Sequence, residues 1–428
     1  MRLRPILLSG LALPALVASA PATLTPLQRK LFADSFERVW STVQERHWDP
    51  TLGGLDWRKV HDELRPRLDR ADTPEQARAT ISEMLARLGQ SHFGIVPAEV
   101  YAELQTGAQG GCAPGIDVRV IEGKALVTRI QPGSSAARMG VRPGWEVLRV
   151  DGKPCGPVLA RIAARFKAST ELELISSRAI LALLDGGADT ALEVEFGRGA
   201  GERVELKLRR EPPRGRTVTF GNLPPIPFWL ETRNLPDGVR YLSFNGWFEP
   251  ETLQGAFQSS MAKLEECRGF VIDLRGNPGG LGGMAMGAAG WFAKGSGQKL
   301  GTMILRGSSL NFVVFPRPQT FKGPLAILVD GCSASTSEIF AGGMQDAKRA
   351  RIFGTRTAGA ALPSMFERLP NGDGFQFAIA NYICDGGQAL EGRGVIPDQE
   401  VQPSQVELLA GRDPVLDRAL AWIRESSH

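Results

Sequence analysis

Three features of the sequence predict a multidomain protein of mixed α+β and α/β class. Helical patterning opens the chain, small alternating strands fill the middle, and from residue 217 onward apolar strands alternate with helices. A length of 428 residues exceeds what one core organises and points to two or three domains. The expected divisions are a leader at 1–22, a helical segment at 23–100, a β module at 101–212 and a core domain at 213–428. Fifty basic and 46 acidic residues are interspersed and give a net charge of +4, which excludes a nucleic-acid footprint and a basic membrane patch.

The leader carries Arg2 and Arg4, an apolar run from Ile6 to Val17, and small residues up to Ala22, the pattern of a secretory signal peptide. Cleavage after Ala20 or Ala22 fits, and Ala22 is preferred because Pro21 is a poor first residue. No cysteine lies there to take a lipid, and no later run reaches the roughly 20 apolar residues of a membrane span. An exported, soluble mature chain is expected, periplasmic or secreted. The five cysteines are odd in number and widely spaced, so at least one is unpaired or pairs between chains, and no C-x-x-C occurs.

Thr25 and Pro26 start a first helix with Phe32, Phe36, Val39 and Val43 on one face. Thr73, Pro74 and Gln76 start another with the stripe Ala77, Ile81, Leu85 and Leu88, stopped by Gly89. QSHFGIVP follows. Of four histidines, His92 is the best placed to serve as a base, or else caps a helix end. His47 and His61 sit in or beside charged helical segments and read as solvated surface residues. No H-E-x-x-H or histidine cluster suggests a metal, and no cofactor is expected.

Residues 115–153 combine the alternation GIDVRV, the run ALVTRI, and QPGSSAARMGVRPGWEVLRVDGKP. This β-rich stretch resembles a PDZ domain of the bacterial protease type, with Trp145 where an Asp is usual. The resemblance implies peptide reading by strand addition, with residues 110–118 as carboxylate loop and first groove strand and Gly115, Ile116, Asp117 and Val118 contacting substrate. It leaves open a spacer role. A polar helix-like stretch at 157–184, the strands LEVEF and VELKL, and a linker at 211–216 complete the region.

In the last region, VRYLSFN and GFVIDL read as strands, and the latter runs into a glycine turn and a helix. The turn lacks the spacing of a nucleotide loop. It lets backbone approach a reacting atom, so Gly279 or Gly280 can supply one oxyanion donor and Thr336 the other. The run Leu325 to Val329 reads as a buried strand, and a helix begins at Thr336. Ser335 stands at their junction, where a helix N-terminus stabilises negative charge. Ser333, Ser335 and Ser337 also suit plain capping and turn roles. Asp413 and Pro414 start a closing amphipathic helix.

The order of these parts, with VIDLRGNPGG and SASTSEIFAGGMQDAKRA, resembles the C-terminal processing, or tail-specific, peptidases. The resemblance covers nearly the whole chain after the leader and implies a crotonase- or ClpP-like α/β spiral core. It aligns the nucleophile with Ser335, with Ser337 as runner-up. One departure matters: where the Ser-Lys branch has its lysine in a T-F-G-K-G-like sequence, this chain reads GTRTAGAALP, with Ala360 in that place. The chain is instead similar to the tricorn-protease branch, whose Ser-His pair and E-x-x-G-V-x-P-D glutamate correspond to Ser91, His92 and Glu391. That likeness implies a serine peptidase in which Ser335 attacks, His92 is general base, and Ser91 or Glu391 orients it. Its partners are protein or peptide substrates, with an activator or adaptor left open. The alternative is a catalytically silent member that binds peptides or apolar ligands.

Overall fold

The computed structural model describes residues 23–100, 111–219, 221–223, 225–262 and 264–426, so the leader and residue 110 lie outside the described residues. Helix α1 (Pro26–Arg46) starts at a full capping box, in which Thr25 and Gln28 satisfy each other's backbone N–H. Helices α2 (Trp57–Asp69) and α3 (Pro74–Ala86) are capped by Asp56 and Thr73. The three pack Phe32, Phe36, Val39, Leu64 and Ile81 into one core, which also takes Leu362, Phe375 and Phe377 from late in the chain. Strand β1 (Gly94–Val96) pairs antiparallel with Gly374–Ala378, so the helical segment is stitched to the C-terminal half directly after His92.

The middle module is an antiparallel sheet of β2 (Ile116–Ile121), β3 (Lys124–Ile130), β4 (Glu146–Val150), β6 (Ala191–Gly199) and β7 (Glu202–Arg209), in that order, with β5 (Lys153–Pro154) beside β4. Trp145 is buried edge-on against Phe196 at 5.6 Å, which accounts for an aromatic at that position. A short helix α4 (Ser135–Arg138) precedes β4. The stretch expected as one polar helix is two, α5 (Cys155–Phe166) and α6 (Leu172–Leu184). The second is largely apolar because it is wedged between β2 and the core domain: Ser177 Oγ accepts from Val120 N, while Leu174 packs on Cys332, Ala334, Ala358 and Ala360. The linker expected at 211–216 begins as paired backbone, Glu211 and Ala113 exchanging hydrogen bonds at 3.1 Å.

A ribbon of β8 (Arg216–Val218) and β9 (Ile226–Phe228) leads into a six-stranded sheet of β10 (Leu230–Leu235), β11 (Val239–Phe244), β12 (Gly269–Asp273), β15 (Leu325–Val329), β16 (Arg351–Gly354) and β20 (Gln399–Glu400), in that order. All its pairs are parallel except the hairpin β10–β11. Strands β12 and β15 are buried along their whole length, as central parallel strands are. One face is covered by α7 (Pro250–Ser260), α8 (Gly282–Ala289) and α9 (Thr336–Asp346), with Phe257, Phe292 and Phe340 in the core. The other is closed after the short α10 (Gln405–Leu409) by α11 (Pro414–Ser426), through Val415, Ala419 and Ile423. Strands β13 (Lys299–Leu305), β14 (Ser308–Val313) and β19 (Ala380–Cys384) form one small sheet, and β17 (Ser364–Arg368) and β18 (Gly374–Ala378) join β1 in another. The carboxyl ends of β12 and β15 release neighbouring loops, the usual position of a site in an open parallel sheet. All five cysteines are free.

Candidate active site

The loop after β15 turns back at once. Asp330 accepts from Gly276 N at 2.8 Å and Cys332 N at 3.0 Å, drawing the glycine turn against it. Ser333 is buried and spends its hydroxyl on Leu274 O. Ser337 is also buried and accepts from Trp247 Nε1 at 2.9 Å, so the runner-up serine is committed to structure. Ser335 differs: it is half-exposed, and its hydroxyl has no side-chain partner among the described residues. Its φ of 55° lies in the left-handed region, costing a non-glycine residue about 1–3 kcal/mol.

Buried Glu338 holds that conformation. Its carboxylate accepts from Ser335 N at 3.0 Å, Thr357 Oγ1 at 2.5 Å, Gly359 N at 2.8 Å and Ala360 N at 3.0 Å. Burial pushes its pKa up to about 7, against those four donors, which favour the anion. Ser335 N also meets Ala360 O at 2.8 Å.

Gly279 fits where no side chain would: a Cβ there would lie 2.6 Å from Ser335 Cβ and 2.9 Å from Thr336 N. Its own N–H is taken by Asn277 Oδ1 at 3.0 Å. The N–H groups of exposed Gly280 and of Thr336, at the start of α9, have no protein acceptor among the described residues. Thr336 Oγ1 donates to Gly280 O at 2.8 Å and ties the two loops together. Of the two glycines, Gly280 is therefore the one with a donor to offer.

On the other side, Ser91 Oγ lies 2.7 Å from His92 Nδ1 and donates to Glu391 Oε2 at 2.8 Å. The hydroxyl has one proton, and Glu391 receives it. Nδ1 must then carry the imidazole proton, leaving a lone pair on Nε2. Glu391 also accepts from Ser91 N at 2.7 Å and Ala361 N at 3.0 Å, and does not pair with Arg393. Burial lowers the His92 pKa to about 4, helped by the charge of Arg178, so the ring is neutral near pH 7. Burial raises the pKa of Glu391, against its hydrogen bonds to Ser91 and Ala361. The peptide Ala360–Ala361 thus touches the Glu338 carboxylate that holds the Ser335 turn with one residue and the Glu391 carboxylate that holds Ser91 with the next. No hydrogen bond joins Ser335 Oγ to His92 Nε2 in this structure.

Gly115, Ile116 and Asp117 line a cleft of about 150 Å³ with Arg129, Trp229 and Asn245, whereas Val118 points into the module core. Asp117 also borders a larger adjoining cavity of about 610 Å³ between β2, α6 and the loops after β12 and β15. Near it, Glu173, Asp330 and Cys332 bring ligand-type atoms within 4.8 Å of one another, and Arg119 already pairs with Asp330 at 2.8 Å.

Sequence reasoning misplaced His47. It is buried, donates from Nε2 to Gln90 Oε1 at 3.0 Å, accepts from Asp49 N on Nδ1, and stacks on Phe93, steadying both flanks of Ser91-His92. His61 is half-buried beside Glu37 and Asp62. Glu338 was also missed, although the S-x-x-E spacing from Ser335 is a capping-box signal. Glu171 and Arg178 of the α6 region reach the site across the module boundary and leave no local signal.

Residues 238–401 match peptidase family S41, and residues 28–86 match the tricorn protease C1 domain. The chain is 23% identical over 412 residues to carboxyl-terminal-processing peptidase 3, chloroplastic, of Arabidopsis thaliana, covering 92% of this chain and 73% of that protein. It is 24% identical to the carboxyl-terminal-processing protease of Synechocystis, covering 85% and 79%. Its fold is similar to that of the photosystem II D1 C-terminal processing protease, with a TM-score of 0.57 and 22% identity over 92% of this chain and 99% of that one. Residues 238–401 are therefore a peptidase family S41 domain, and the chain is a serine-type peptidase similar along most of its length to carboxyl-terminal-processing peptidases.

Proposed function

We propose that this chain is an exported peptidase that hydrolyses peptide bonds of unfolded or C-terminally recognised proteins, with Ser335 as nucleophile and His92 as general base. The observation that carries the reading is the line Glu391–Ser91–His92, which leaves Nε2 with a lone pair and is hydrogen-bonded through Ala361 to the peptide that holds the Ser335 turn. On substrate binding, Nε2 takes the Ser335 proton as Oγ forms a bond to the scissile carbonyl carbon. Gly280 N–H and Thr336 N–H stabilise the oxyanion. The imidazolium then protonates the departing amine, and a water repeats the sequence to free the acyl group. Glu391 and Ser91 keep the imidazole in the required tautomer.

In this reading residues 1–22 are the export leader, 23–100 carry the histidine, 101–212 form a PDZ-like module that recruits or gates substrate through Gly115 to Asp117, and 213–428 carry the nucleophile. A silent binding protein has one observation in its favour, the missing Ser335–His92 hydrogen bond. The free N–H pair beside Ser335 and the lone pair on Nε2 weigh against it, and apo hydrogen bonds of this kind commonly tighten only with substrate. The test is labelling with a fluorophosphonate. Modification of Ser335, lost in His92→Ala, is expected; modification of another serine, or none in the folded protein, would count against the assignment.

A further inference from the structure

Four half-buried arginines line the 610 Å³ cavity: Arg119, Arg129, Arg178 and Arg275. Three have carboxylate partners. Arg119 pairs with Asp330 at 2.8 Å, Arg275 with Asp273 at 2.7 Å and Asp413 at 2.8 Å, and Arg129 lies 3.8 Å from Asp273 with its guanidinium over Trp229. Arg178 has no hydrogen bond and no ion pair within 4 Å among the described residues. An unpaired guanidinium taken largely out of water is costly, and a ligand that pairs with it recovers that cost.

Its position makes the ligand a substrate. Arg178 stands one turn beyond Leu174, on the same face of α6, and Leu174 packs on Ala334 next to Ser335. Its charge also reaches His92. The nearby carboxyls do not pair with it: neither Glu171 nor Glu173 forms an ion pair with Arg178, burial raises the pKa of both, and Glu171 Oε2 is buried without a hydrogen-bond partner among the described residues. A planar guanidinium suits a two-point grip on a carboxylate.

We infer that Arg178 determines specificity by binding a carboxylate of the bound peptide, an acidic side chain or the chain terminus, close to the bond that is cut. The inference rests on the peptidase reading for its biological meaning, and its test does not need catalysis. Fluorescein-labelled alanine-rich decapeptides would carry one glutamate moved along the chain. Each would have a glutamine twin, and each would be made with a free and an amidated C-terminus. Binding to the full chain carrying Ser335→Ala would be read by anisotropy, with and without Arg178→Met. At least one acidic or free-terminus peptide should bind about tenfold tighter than its neutral twin, with the ratio falling to near one in Arg178→Met. Dependence on glutamate position identifies a side chain; dependence on amidation identifies the terminus. Arg178→Lys, which keeps the charge but not the fork, should give an intermediate ratio and serves if the methionine variant does not fold. Equal affinity of all twins, no binding by any peptide, or a ratio unchanged by Arg178→Met would overturn the inference. The same peptides given to the chain with Ser335 intact separate the two ideas: cleavage without charge preference counts against Arg178 alone, and preferential binding without cleavage counts against the peptidase reading alone.

Discussion

Glu391 grips Ser91 with both carboxylate oxygens, Oε1 on the backbone N–H at 2.7 Å and Oε2 on the hydroxyl at 2.8 Å. The grip orients the acceptor of His92 Nδ1–H, so it sets the tautomer that a general base at Nε2 requires. Ser91→Ala strands that N–H, a loss of about 1–3 kcal/mol. Ser91→Ala and Glu391→Gln should each lower kcat about tenfold to a hundredfold with little change in KM. Steady-state kinetics on one peptide checks this, and a change confined to KM would contradict it.

Ser335 and Ser337 should separate cleanly. Ser337→Ala leaves Trp247 Nε1 buried without an acceptor, so denaturant unfolding should register a loss of about 1–3 kcal/mol while the residual folded enzyme still cuts. Ser335→Ala should do the reverse, abolishing cleavage with a near-parental midpoint.

Gly279→Ala places a methyl 2.6 Å from Ser335 Cβ at a φ of 98°. The Ser335 turn or the glycine turn must then shift, and a displacement near 1 Å can cost about a hundredfold in rate. A soluble variant with a lower Tm and activity reduced at least about that much is expected. Unchanged kinetics would mean that the close approach is not needed.

Histidine acting as base with its pKa lowered to about 4 should put its own acid limb in kcat/KM near 4 in place of 6.5, below the separate limb near 7 expected from protonation of Glu338, which Glu338→Gln should remove. Arg178→Gln removes the smaller of the two causes, so the histidine limb should move up but stay below 6.5. The stability effect has a fixed sign. A neutral buried His92 binds fewer protons than the unfolded chain, so its contribution is fully present above about pH 6.5 and is lost as pH falls from there to about 4. A pH series of kcat/KM and of denaturation midpoints checks both.

Much of this was legible in the chain. Thr25 and Thr73 announced helices because capping is local chemistry, and Ser335 stood out because an aliphatic strand meets a helix start within a few residues. The arrangement around them was not, because it depends on contacts between distant residues. His47 sits beside charged residues in sequence, yet Gln90, 43 residues on, and Phe93 bury it. The pairing of β1 with β18 joins residues 94 and 376, and no periodicity in either strand encodes that register. Arg178 reads as an ordinary helix arginine until α6 is laid against the Cys332–Ala334 turn.

The most direct measurement of the central claim is proteolysis of a mixture of unfolded proteins, read as new peptide ends by mass spectrometry, with the parent chain, Ser335→Ala and His92→Ala in parallel. The account predicts cleavage by the parent that disappears in both folded variants. Cleavage that survives Ser335→Ala would contradict it and send the search for the nucleophile elsewhere, and failure of the folded parent to cut any substrate would favour the silent binding protein.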